Sequence, residues 1–238
     1  MVPRLAVAVL LATALRGCLT YEYEHELWLR VDGSGSISVT GQPSLWNAFK
    51  GLPVDDAMDA DALKQQAREL FERSGLSVRR ITVTKRQGHR YLFVSADFRD
   101  VNRLSYTPAF PDLRIGLRRE KGRLVFDGSW QRPLEARDPA GVPRDGLMAV
   151  RFHMPSKIYS HRRAAEGVER GNIVGWRQDV AAALGGGRLE LGAEMDGRSI
   201  LFSTVMLFVG AVVLAVLLLA LGLWAVVRRG RRDLARSA

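Results

Sequence analysis

The residues in this 238-residue chain that could do chemistry are few, and they are spread out. There is one cysteine, Cys18, and so no intramolecular disulfide. The four histidines, His25, His89, His153 and His161, show no HExxH or other close metal spacing, and no G-x-S-x-G elbow holds a nucleophilic serine. Asp55, Asp56, Asp59 and Asp61 crowd together but lack the glycine and glutamate positions of a calcium loop, so they read as acidic caps on the helix that follows. His25 falls in register with apolar residues and reads as a satisfied strand histidine. These patterns argue against an enzyme and imply no metal and no cofactor.

What remains is chemistry of attachment and of charge. From Ser199 to Val227 no residue is charged, and Arg228, Arg229, Arg231 and Arg232 follow at once. That run is long enough to cross a hydrocarbon core of roughly 30 Å. The arginines mark the cytoplasmic side, which places the residues before 199 outside. At the other terminus, Arg4 precedes an apolar run, Leu5 to Leu15, that is too short to span and ends at Gly17. Residues 1–17 therefore read as a signal peptide. Four segments result: 1–17, an exported domain over 18–198, a transmembrane helix over 199–227 and a basic cytoplasmic tail over 228–238. The expected location is the cell membrane, crossed once.

The formal net charge is +10. Residues 19–198 hold 28 Lys and Arg against 24 Asp and Glu, so the domain itself is only +4 and most of the excess marks topology. No nucleic-acid-binding signature is present, and an exported domain would not meet nucleic acid.

The elements that must position any site alternate in hydropathy. Tyr21 to Val31 has period two, and Asp32-Gly33-Ser34-Gly35 turns it back into Ile37 and Val39. One helical turn fits Ser44 to Lys50. A helix over 59–74 carries Leu63, Ala67, Leu70 and Phe71 on one face. Two further hairpins span 76–98 and 113–130, turning at Gln87-Gly88 and Glu120-Lys121-Gly122. Short strands follow at 147–154, 157–161, 172–177 and 188–193, and 131–145 is a long Pro- and Gly-bearing loop. The expected fold is α+β: one antiparallel sheet of about seven or eight strands, with the helix packed on it.

Both later hairpins are basic, with Arg79, Arg80, Arg86 and Arg90 on one and Arg118 and Arg119 on the other. Two readings stand: contact with anionic headgroups, or solubilisation and edge protection of exposed strands. Tyr91, Phe93, Trp130 and Trp176 are candidates to line a lipid cavity, and each equally suits a core.

Leu15-Arg16-Gly17-Cys18 resembles the lipobox of bacterial lipoproteins, in which the cysteine is diacylated and becomes the mature N-terminus. Arg16 departs from that pattern, and a conventional signal peptide is the other reading of the same residues. Together with the opening hairpin, Met154-Pro155-Ser156-Lys157, Gly171-Asn172-Ile173-Val174-Gly175-Trp176 and the single C-terminal helix with its arginine tail, the chain resembles LppM-type lipoproteins of high-GC bacteria. The resemblance implies lipidation at Cys18 and a lipid- or glycolipid-binding role in the cell envelope. The alternative is a structural or interaction subunit of an envelope complex, with a membrane-protein partner.

Overall fold

The computed structural model describes residues 21–133, 141–162, 164, 168–169 and 171–236. The expected signal peptide, Cys18 and half of the 131–145 loop lie outside the described residues. The remainder is α+β, with eleven strands and five helices.

The alternating residues make the first hairpin. Strands β1 (Tyr23–Leu29) and β2 (Gly35–Gly41) bury Tyr23, His25, Leu27, Ile37 and Val39 on one face. Asp32 fixes the turn by accepting hydrogen bonds from Ser34 N at 3.0 Å and Ser34 Oγ at 2.7 Å. Helix α1 (Pro43–Lys50) starts on a proline, whose fixed φ suits a first turn, and runs longer than the single turn expected. Helix α2 (Ala60–Arg73) opens on Asp59, whose carboxylate accepts from Asp61 N at 2.8 Å, and buries Leu63, Ala67, Leu70 and Phe71. Asp55 accepts from Ala57 N and Met58 N, so it too serves backbone groups.

Strands β3 (Ser77–Arg86) and β4 (His89–Phe98) form the second hairpin; after the short helix α3 (Val101–Leu104), β5 (Leu113–Glu120) and β6 (Arg123–Trp130) form the third. Both turn through two residues of positive φ, Gln87 and Gly88 at 49° and 89°, Lys121 and Gly122 at 46° and 81°. Such turns match the right-handed twist of the strands, and glycine takes the second position without strain. Then come β7 (Leu147–His153), β8 (Ile158–His161), β9 (Val168–Glu169), β10 (Ile173–Asp179), helix α4 (Val180–Leu184), β11 (Leu189–Asp196) and helix α5 (Ile200–Arg236).

The strands form two sheets, where the sequence suggested one. The larger runs β3-β4-β2-β1-β7-β10-β9 and the smaller β5-β6-β11-β8. β1 and β7 pair in parallel, Tyr23 opposite Met148 and Trp28 opposite His153. The correction has a physical cause: period two shows which residues share a face, but says nothing about which distant strand lies alongside. The sheets meet through Phe126, Phe152 and Trp176, with Phe126 and Phe152 ring centroids 4.4 Å apart. Helices α1 and α2 close the rest of the core through Trp46, Phe49 and Phe71, each fully buried and each contributing roughly 1.5–3 kcal/mol of transfer free energy.

Helix α5 contains Thr204–Trp224, 21 residues of mean hydropathy 3.0, with none buried against the domain. At 1.5 Å per residue this stretch is about 32 Å long, enough to cross a bilayer.

Candidate functional site

The pairing gives the domain two distinct ends. At one end lie Leu29 and Gly35 of the first hairpin, Phe98 beside Gly35, His153 beside Trp28, and Asp196 beside Arg123. Asp196 N donates to Lys157 O at 3.0 Å there, and α5 departs four residues later. This is the exit end. At the other, the entry end, lie Tyr23 beside Gly41, Glu22 N bonded to Leu147 O, and Leu189 and Leu113, each beside Trp130. The eight residues of β11 put the two ends about 25 Å apart.

A cleft of about 790 Å³ opens at the exit end. The first turn supplies Arg30 and Ser34, the end of α2 supplies Ser74, and the start of β3 supplies Arg79. The end of β4 and the turn after it add Asp97, Phe98, Arg99 and Asp100, and α3 adds Arg103 and Leu104. Two contacts hold these pieces together: Val101 N donates to Gly33 O at 2.8 Å, and Asn102 bridges α3 to Leu117 in β5 through bonds of 2.7 and 3.3 Å. Four guanidinium groups therefore face two carboxylates, above a wall of Leu76, Phe98 and Leu104.

The charges are only partly neutralised. Arg79 Nε donates to Asp97 Oδ2 at 2.6 Å, and Arg103 Nε is 3.8 Å from Asp100 Oδ2. Arg30 donates to Ser34 Oγ at 3.1 Å. Arg99 is exposed and makes no hydrogen bond or ion pair among the described residues. A fork of planar donors beside an apolar wall suits an anionic oxygen group carried on an apolar body.

Of the residues singled out from sequence, only Arg79 reaches this cleft. Arg80 is exposed on β3 beside the bulge where its pairing with β4 shifts. Arg86 lies over the Tyr91 ring at 5.4 Å, and Arg90 is spent on Asp56 O and Met58 O. Tyr91 donates to Glu22 Oε2 at 2.5 Å, and burial, then that carboxylate, pushes its phenol up to about 12. Phe93 is half-buried on β4. Arg118 pairs with Glu120 and Asp127, and Arg119 donates to Gly197 O at 3.1 Å. Trp130 and Trp176 are core residues; their indoles donate to Asp112 Oδ2 at 3.0 Å and Arg162 O at 2.5 Å. Neither lines the cleft. Arg30, Arg99 and Arg103 went unseen because Arg30 is distant in the chain from Arg99 and Arg103, and only the strand pairing gathers all three with Arg79.

A second cluster sits in the core. Lys50, Asp112, His25 and Tyr23 are all fully buried around one carboxylate. Lys50 Nζ also donates to Ala109 O at 2.7 Å and lies 4.2 Å from the centre of the Phe110 ring. Burial pushes the lysine down and the aspartate up, while their contact opposes both shifts. His25 Nε2 meets Tyr23 Oη at 3.2 Å, but its Nδ1 has no partner, so the histidine is only half satisfied. The cluster is sealed from solvent, and its position makes it a tie between α1 and the segment that enters β5.

No protein-family model matches the chain. No curated protein matches its sequence. Among solved structures, the NMR structure of the folded domain of the LppM protein of Mycobacterium tuberculosis aligns with 75% of this chain and 92% of its own length. The identity is 14% and the TM-score 0.37, a likeness distant in both sequence and backbone.

Proposed function

We propose that the chain is a membrane-anchored envelope protein whose exported domain binds the anionic headgroup of a phosphate-bearing lipid or glycolipid in the arginine cleft. The observation that carries this reading is Arg99, exposed and unpaired beside Arg30, Arg79 and Arg103, at the end of the domain from which the apolar helix departs. Guanidinium forks bind phosphate in two-point contact, and the wall of Leu76, Phe98 and Leu104 suits the start of an acyl chain. The reading is one of binding, not catalysis. The tail of arginines after Val227 supports an exported domain and a cytoplasmic C-terminus.

Titration of short-chain phosphatidylglycerol into the detergent-solubilised full chain tests this. Arg99→Glu with Arg103→Glu is expected to weaken binding at least about tenfold, since a hydrogen bond to a charged group is worth roughly 1.5–3 kcal/mol. Unchanged affinity contradicts the reading.

A second reading, an interaction subunit of an envelope complex, rests on the outer face of the larger sheet. Trp28 is 37% exposed there and stacks on His153 at 4.8 Å, and His153 Nε2 bonds Glu26 Oε1 at 2.8 Å. Crosslinking of the intact membrane through that face tests it.

A further inference from the structure

The two basic hairpins point in opposite directions. The β3–β4 tip, Arg86 to His89, lies beyond the entry end: Leu92 pairs with Gly41, and Tyr91 reaches Glu22. The β5–β6 tip, Glu120 to Arg123, lies at the exit end, against the segment that leads into α5. Arg119 Nη1 donates to Gly197 O at 3.1 Å, and Gly197 is so close to Gly122 O that a Cβ there would overlap it. Gly197 is only three residues before the first residue of α5.

Around this junction exposed cations stand among the carboxylates of Glu120, Glu194 and Asp196, beside the exposed ring of Tyr159. Lys121, Lys157 and Arg198 are exposed. Arg123 lies 5.2 Å from the centre of the Tyr159 ring and bonds Glu194 at 3.0 Å, and the Tyr159 hydroxyl donates to Asp196 at 3.0 Å. Tyr159 is 52% exposed. A tyrosine and a set of long cationic side chains are the groups that settle at a headgroup layer, ring toward the acyl boundary and charge toward phosphate.

We infer that the domain stands on an anionic leaflet through the β5–β6 tip, Lys157, Tyr159 and Arg198, and holds the β3–β4 hairpin away from the membrane. The occupant of this surface is the outer leaflet of the bilayer that α5 crosses, because the surface is continuous with the start of that helix. The inference rests on α5 crossing a membrane and makes no use of the arginine cleft. A contact at one end keeps the domain upright. It also turns the cleft, which opens at the same end, toward the lipids.

The test uses the full chain with Cys18 replaced by Ser, carrying a fluorophore at Lys121→Cys or at Gln87→Cys, in vesicles of phosphatidylglycerol and phosphatidylcholine with headgroup-labelled quencher lipid. Quenching is expected to be at least threefold stronger at position 121 than at 87. Replacing phosphatidylglycerol by phosphatidylcholine is expected to cut quenching at 121 by half or more. Equal or stronger quenching at 87 overturns the orientation, and quenching at 121 that is indifferent to lipid charge overturns the electrostatic contact. Loss of bound lipid from the cleft with the asymmetry intact would overturn the binding reading alone.

Discussion

Lys50 Nζ lies 3.1 Å from Oδ1 of Asp112, with both side chains wholly shielded from solvent. The pair joins the last residue of α1 to the residue before β5, and Trp130 donates to the same carboxylate. A buried ion pair gains little over an apolar replacement, but removal of one partner leaves a charge stranded. Lys50→Met alone is expected to cost about 3–5 kcal/mol. The double variant Lys50→Met, Asp112→Leu is expected to recover at least half of the summed single costs. Denaturant unfolding of the full chain in micelles, followed by tryptophan fluorescence, measures this. Additive losses would contradict the role of the pair.

His25 makes the domain sensitive to acid. Burial, then the Lys50 charge, holds its imidazole well below the ordinary value of 6.5. Above pH 6.5 both the native and the unfolded histidine are neutral, and this stability is fully present. As pH falls below 6.5 the unfolded chain takes up a proton that the native chain refuses, so stability is lost, at up to about 1.4 kcal/mol per pH unit. Asp112, facing the same ring, acts oppositely, because its raised pKa makes the native state bind a proton first. The difference in slope between the wild type and His25→Gln isolates the histidine. Tm of the wild type is expected to fall more steeply between pH 6.5 and 5 than that of the variant; equal slopes would contradict the assignment.

The junction at Gly197 has no room for a side chain. A Cβ there meets Gly122 O and the Arg119 guanidinium. Backbone cannot yield cheaply, so Gly197→Ala is expected to cost about 1–3 kcal/mol and to lower Tm. Gly75→Ala is the contrast, since no atom stands within 4 Å of its Cβ position and the cost there comes from its φ of 73°. Hydrogen exchange is expected to rise over 119–124 in Gly197→Ala only. A rise confined elsewhere would show that the tip and the helix junction are not coupled.

Acylation at Cys18 and an upright domain exclude each other in one bilayer. Three Cα-to-Cα steps, through Leu19 and Thr20, carry the chain from Cys18 to Tyr21 and span at most about 11 Å. The entry end that follows lies about 25 Å from the exit end, by the rise of a strand as long as β11. If α5 crosses a membrane on which the domain stands upright, intact mass of the mature protein is expected to show no diacylglyceryl group on Cys18. Such a group there would require the domain to lie along the surface, with both hairpin tips near lipid.

Local chemistry was readable in the sequence, and long-range chemistry was not. The three hairpins declared themselves through Asp32-Gly33, Gln87-Gly88 and Lys121-Gly122, and α2 through Asp59 and its apolar face, because a turn or a cap is decided within a few residues. The parallel match of Tyr23 to Met148 spans the whole domain and leaves no local trace. Lys50 reads as an ordinary cation at a helix C-terminus, and only tertiary packing buries it against Asp112. The arginine cleft was hidden for the same reason: Arg30, Arg79, Arg99 and Arg103 lie on separate elements.

The most direct test of lipid binding is native mass spectrometry of the full-length protein, taken from its own membrane and ejected from detergent. The wild type is expected to retain one phosphate-bearing lipid per chain, and a variant with Arg30, Arg79, Arg99 and Arg103 changed to Gln is expected to lose it. A wild-type mass free of lipid, with none taken up on adding phosphatidylglycerol, would contradict the account.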